Sequence, residues 1–78
     1  MNGYVVCFKL KSEERTEIKV CYSRRMVKWA YENWAHESSI PEECWEEWFN
    51  DLMELKEQTF GEENWIKLYK GDVEIVEG

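Results

Sequence analysis

Apolar and polar residues alternate along Tyr4–Leu10, with Tyr4, Val6, Phe8 and Leu10 on one side and Val5, Cys7 and Lys9 on the other. The stretch from Thr16 to Tyr22 repeats the pattern, setting Ile18, Val20 and Tyr22 against Glu17, Lys19 and Cys21. A period of two, rich in β-branched and aromatic residues, predicts two half-buried strands. Pairing Phe8 with Ile18 and Val6 with Val20 gathers the apolar side chains on one face and sets Lys9 opposite Glu17. The polar stretch Lys11–Arg15 is then the hairpin loop.

The period changes after Ser23, a predicted helix N-cap. At about 100° per residue Met26, Val27, Ala30, Tyr31, Trp34 and Ala35 share one arc, whereas Trp29 falls among Arg25, Glu32, Asn33 and His36 on the polar side. Ser39-Ile40-Pro41-Glu42 has the form of a capping box with proline in the first turn. The second helix is expected to run to about Thr59 and to stop at Gly61. Its apolar arc holds Cys44, Trp45, Trp48, Phe49, Leu52, Met53 and Leu55. The opposite arc holds Glu43, Glu46, Glu47, Asn50, Asp51, Glu54 and Glu57. So short a break between the helices predicts an antiparallel helical hairpin.

In the tail, Gly71-Asp72 between two short apolar runs is a hairpin turn signal that sets Leu68 opposite Ile75. The expected architecture is α+β in the order ββααββ, a mainly antiparallel sheet with the two-helix hairpin packed on one face. Its expected core joins Tyr4, Val6, Phe8, Leu10, Ile18, Val20 and Tyr22 to Trp34, Trp45, Trp48, Phe49 and Leu52.

Length makes this one domain, residues 1–78, because so little chain cannot build two cores. Aromatic content of 15% beside 35% charged residues is not the profile of a disordered chain. No apolar run approaches the ~18 residues of a membrane span, and the N-terminus lacks the apolar core of a signal peptide, so a cytoplasmic protein without a membrane partner is expected.

Net charge is −7 and unevenly spread. Residues 1–28 hold seven Lys/Arg against three Glu, whereas residues 29–63 hold one Lys against eleven acids. A middle segment of that sign repels phosphate, which argues against direct binding of nucleic acid.

The chemistry of catalysis has little to stand on. The glycines are isolated at 3, 61, 71 and 78, so no phosphate-cradling loop is present. A nucleophile–base pair would have to use the single His36, and the carboxylates line an exposed arc where they stay ordinary. Cys7, Cys21 and Cys44 are an odd number without the close spacing of a zinc site or a disulfide framework. Neither enzyme activity, nor a cofactor, nor a bound metal is expected.

Two features call for a partner. In the second helix Lys56 is the single base, so the Glu–Lys pairs that normally stabilise a helix are almost missing, and like charges recur turn by turn at Glu43, Glu47, Asp51 and Glu54. Successive turns rise about 5.4 Å, not far from the repeat of a phosphodiester backbone. Trp29 on a polar arc has the character of an interface anchor. The candidate partner-binding residues are therefore Glu43, Glu46, Glu47, Asp51, Glu54, Glu57 and Trp29, and the outward Trp65, Lys67 and Tyr69 form a second candidate surface.

In size, charge and compactness the chain resembles the small acidic proteins that phages and mobile elements direct against host defence, of the anti-CRISPR and DNA-mimic type. No motif matches residue for residue, so no residue is carried over. The resemblance implies a non-enzymatic inhibitor that occludes a basic nucleic-acid-binding groove, for instance on a CRISPR effector or another nuclease, in the cytoplasm of a bacterial host. The alternative is a protein–protein module such as a phage-type antitoxin or small regulatory subunit. Oligomeric state has no signature in the sequence.

Overall fold

The alternating stretches become β1 (Asn2–Lys9) and β2 (Glu17–Cys21). They are followed by α1 (Arg24–Glu37), a 3-10 turn at Glu42–Cys44, α2 (Trp45–Leu55), β3 (Glu57–Phe60) and β4 (Asn64–Asp72). This computed structural model describes residues 2–13 and 15–72. The order is ββααββ, as the sequence predicts, and the four strands form one antiparallel sheet in the order β2-β1-β4-β3.

One face of that sheet is covered. Val6 and Phe8 of β1 and Ile66 and Leu68 of β4 are buried there with Val27, Tyr31, Trp34 and Ala35 of α1 and Phe49 and Leu52 of α2. α1 lies over β1 and β2, and α2 over β3 and β4. The helices are antiparallel, since the start of α1 meets the middle of α2 and its end meets the start. Arg24 donates to Oδ1 of Asn50 at 2.7 Å, the Tyr31 and Phe49 rings lie 5.7 Å apart, and His36 stands edge-on to Trp45 at 6.4 Å.

Local signals decide the ends of α1. Ser23 is its N-cap, with Oγ accepting from the Met26 amide at 3.2 Å. The chain leaves by a Schellman motif, in which Ile40 N–H donates to the Ala35 carbonyl and Ser39 N–H to that of His36. Ser39 stands at φ 65 for this purpose, and Ile40 is buried behind it. Ser39-Ile40-Pro41-Glu42 is therefore a helix exit and not the expected capping box, and the 3-10 turn after it has no side-chain cap.

Three further expectations are corrected. The β1–β2 register is shifted by one residue: Phe8 stands opposite Glu17, Cys7 opposite Ile18 and Val5 opposite Val20. A one-residue slip moves a whole strand's side chains to the other face. Ile18, Val20 and Tyr22 are accordingly exposed, and Cys21 is the β2 residue that α1 buries. β2 is an edge strand at the margin of the helix layer, so Glu17 and Lys19 reach water from the covered side.

The second helix stops at Leu55 and does not reach Thr59. Lys56 turns left-handed at φ 67 with its amide on the Leu52 carbonyl, and the next residues pair with β4. Leu55 is exposed, Trp45 and Trp48 are half-buried, and so is Tyr4. Helix-forming Lys-Glu-Gln yields here to sheet pairing, a tertiary override of local propensity.

The last hairpin among the described residues, β3–β4, turns at Gly61 (φ 78), between Phe60 and its partner Asn64, and Gly71-Asp72 belongs to β4. β4 runs straight through Gly71, whose partner is Gly3 on β1. The expected strand around Ile75 lies outside the described residues.

Candidate interaction surfaces

Glu46, Glu47, Asp51 and Glu54 are all exposed on α2, with Glu43 exposed in the 3-10 turn that leads into it. The arc is outward because Phe49 and Leu52 are 3% and 0% exposed on the opposite side. The helix beneath these carboxylates is firmly held. Trp45 Nε1 donates to the Ile40 carbonyl at 2.8 Å, and Gln58 Nε2 of β3 donates to the Trp48 carbonyl at 3.0 Å. Arg24, the base of α1 that reaches α2, is engaged by Asn50 and by the face of the Phe49 ring 5.1 Å away, neither of them an acid. The acidic arc is thus exposed on a backbone that is itself held in place.

The other two candidates lie elsewhere. Glu57 is on β3, where it pairs with Lys67 on the face of the sheet turned away from the helices. Trp29 is 61% exposed on α1, but on the flank away from α2, beside a shallow cleft lined by Lys19, Cys21 and Met26. The Arg25 guanidinium lies 5.7 Å above its ring. The structure therefore brings together Glu43, Glu46, Glu47, Asp51 and Glu54, and separates Glu57 and Trp29 from them.

The uncovered sheet face is more apolar than the sequence suggests. Val5 and Cys7 of β1 stand beside Val20 and Ile18 of β2, with Tyr69 of β4 opposite Val5. Ile18 is 65% exposed and Tyr69 56%. Lys9, Trp65 and Lys67 complete the face, with Lys67 Nζ 5.5 Å from the Trp65 ring. Trp65, Lys67 and Tyr69 point outward as expected. Ile18 and Val20 were missed because the alternation of β2 fits either face equally well.

Among the described residues no group of three His, Cys, Asp or Glu side chains is placed to hold a metal ion. Cys7 and Cys21 belong to opposite faces of the sheet, and all three cysteines are free thiols. Burial pushes the Cys21 thiol up, against a weaker pull from Lys19. A polar cleft between β2 and α1 gathers Glu13, Glu17, Lys19, Asn33 and Glu37 beside Phe8 and Leu10, with no nucleophile or histidine in its lining. No helix of the described residues is long and apolar enough to cross a membrane. Comparison with family models, curated proteins and solved structures found no match.

Proposed function

We propose that this protein is a non-enzymatic, stoichiometric inhibitor that sets the acidic face of α2 into a basic nucleic-acid-binding groove of a host-defence nuclease complex, such as a CRISPR effector, in the cytoplasm of a bacterial cell. The observation that carries this reading is the exposed array of Glu46, Glu47, Asp51 and Glu54 on α2 with Glu43 in the 3-10 turn that leads into it. Carboxylates carried on a folded backbone meet a cationic groove with that backbone already ordered, so little backbone freedom is lost on docking. Their summed field also steers the encounter, which raises the association rate most at low salt.

The test is binding to nuclease complexes captured from bacterial lysate, at low and high salt, by the parent and by a Glu43→Lys/Glu47→Lys/Glu54→Lys triple variant. Circular dichroism controls for folding, which should survive because all three side chains are exposed. The expected result is loss of binding in the variant and steep salt dependence in the parent. A folded triple variant that binds as tightly as the parent would sink the proposal. Trp29→Ala separates the two flanks, since contact made by α2 alone leaves its binding unchanged.

A second reading rests on the exposed apolar sheet face. In it the protein is an interaction module of another kind, an antitoxin or small regulatory subunit, whose partner binding changes little with salt.

A further inference from the structure

We propose that the uncovered sheet face is where two copies of this chain meet, stacked sheet against sheet with both α2 helices turned outward. Its centre is made of Val5, Cys7, Ile18 and Val20 on the paired strands β1 and β2, flanked by Tyr69 on β4. β-branched side chains in register on neighbouring strands are what the inner faces of a two-sheet sandwich are built from. A contiguous apolar patch on a small domain is often a contact surface, unlike apolar residues scattered singly.

Charge selects the occupant. The charged side chains on this face are Lys9, Lys67 and Glu57, whereas the helix layer presents Glu43, Glu46, Glu47, Asp51 and Glu54. Two chains of net charge −7 repel wherever their acidic sides approach. Stacking through the sheets keeps those sides farthest apart. With helices about 10–12 Å across and stacked sheets about 10 Å apart, the acidic faces lie roughly 30–40 Å from each other, several times the ~8 Å screening length at physiological salt. A cationic partner would be drawn to α2 instead. The face that is left is the one on which a like-charged copy docks with both acidic arrays out of range, its cost confined to the Lys9 and Lys67 side chains that the two sheets bring together.

Size sets the strength of the contact. Strands of eight, five, four and nine residues at ~3.4 Å rise and ~4.8 Å spacing give a footprint of roughly 400 Å² before side-chain relief is counted, below the ~800 Å² that each partner contributes to a standard interface, so the pairing is a weak, concentration-dependent one. A two-fold axis across the strands lays the β1–β2 patch on its own copy, and brings Lys67 of each chain near Tyr69 of the other. The inference is independent of what α2 binds.

Sedimentation equilibrium over a range of concentrations tests it. The parent is expected to pass from the 9.5 kDa chain mass to twice that value as concentration rises. Ile18→Glu and, separately, Tyr69→Glu should remain at the single-chain mass with unchanged circular dichroism, since both side chains are mostly exposed within one chain. The Glu43→Lys/Glu47→Lys/Glu54→Lys variant should still reach the double mass, because its changes lie on the far side. A parent that stays at the single-chain mass at high micromolar concentration overturns the proposal, and so does either folded sheet-face variant that dimerises like the parent.

Discussion

The Tyr31 hydroxyl donates a 2.5 Å hydrogen bond to Oε1 of Gln58, joining α1 to β3, and the other end of that amide holds the Trp48 carbonyl of α2. One side chain thereby ties three elements. Burial pushes the Tyr31 phenol up to about 12. The folded state then keeps a proton that the unfolded chain gives up near pH 10, so this contribution is whole below ~10 and is lost as pH rises through about 12.

Tyr31→Phe should cost about 1–2 kcal/mol at neutral pH, by leaving Gln58 Oε1 without its donor. It should also flatten the alkaline loss of stability. Denaturant unfolding of parent and variant at neutral and alkaline pH measures both effects, and parallel losses in the two proteins would remove Tyr31 as the titrating group.

Ser39 holds a left-handed conformation that costs an L-residue roughly 1–2 kcal/mol, part of which glycine returns through its looser unfolded state. Ser39→Gly should therefore stabilise the protein by about 0.5–1 kcal/mol, seen as a higher thermal midpoint. Ser39→Val, with a branched side chain at the same φ, should lower it.

Tryptophan truncations should rank by burial. Trp34 is 0% exposed and its Nε1 donates to the Lys9 carbonyl at 3.2 Å, so Trp34→Ala should cost about 3–5 kcal/mol and unfold much of so small a domain. Trp48 is half-buried against the Phe60 ring at 5.9 Å, and Trp48→Ala should cost clearly less. Equal midpoints for the two variants would contradict the packing described above.

Strand and helix faces with a single apolar phase were legible in the sequence. Tyr31, Trp34 and Ala35 are buried where a period of 3.6 puts them, and Val6 and Phe8 where a period of two does. β2 was not, because Ile18/Val20 and Cys21 offer two admissible phases and the choice is made by where α1 ends its cover. β3 was hidden for another reason: Glu57 and Gln58 are good helix residues, and it is their pairing with Lys67 and Ile66 across the Gly61 turn that makes them a strand. The acidic array survived these errors, since it depends only on the phase of α2. Glu57 left it when the helix proved shorter, and Trp29 proved to lie on the other flank because helix periodicity fixes a face without saying which neighbour stands beside it.

The sheet order has a consequence for the way this chain is made. β1 and β4, the first and last strands among the described residues, are neighbours at its centre, with Val6 beside Leu68 and Phe8 beside Ile66. On a ribosome the β1–β2 hairpin and both helices emerge while β1 still has a bare inner edge, and β3 has no partner strand at all. Closing the longest loop in the fold is then the step that completes the core, and topologies with such distant pairings fold slowly for their size. Completion of this core therefore waits on β4, the strand that supplies Ile66 and Leu68 to the covered face.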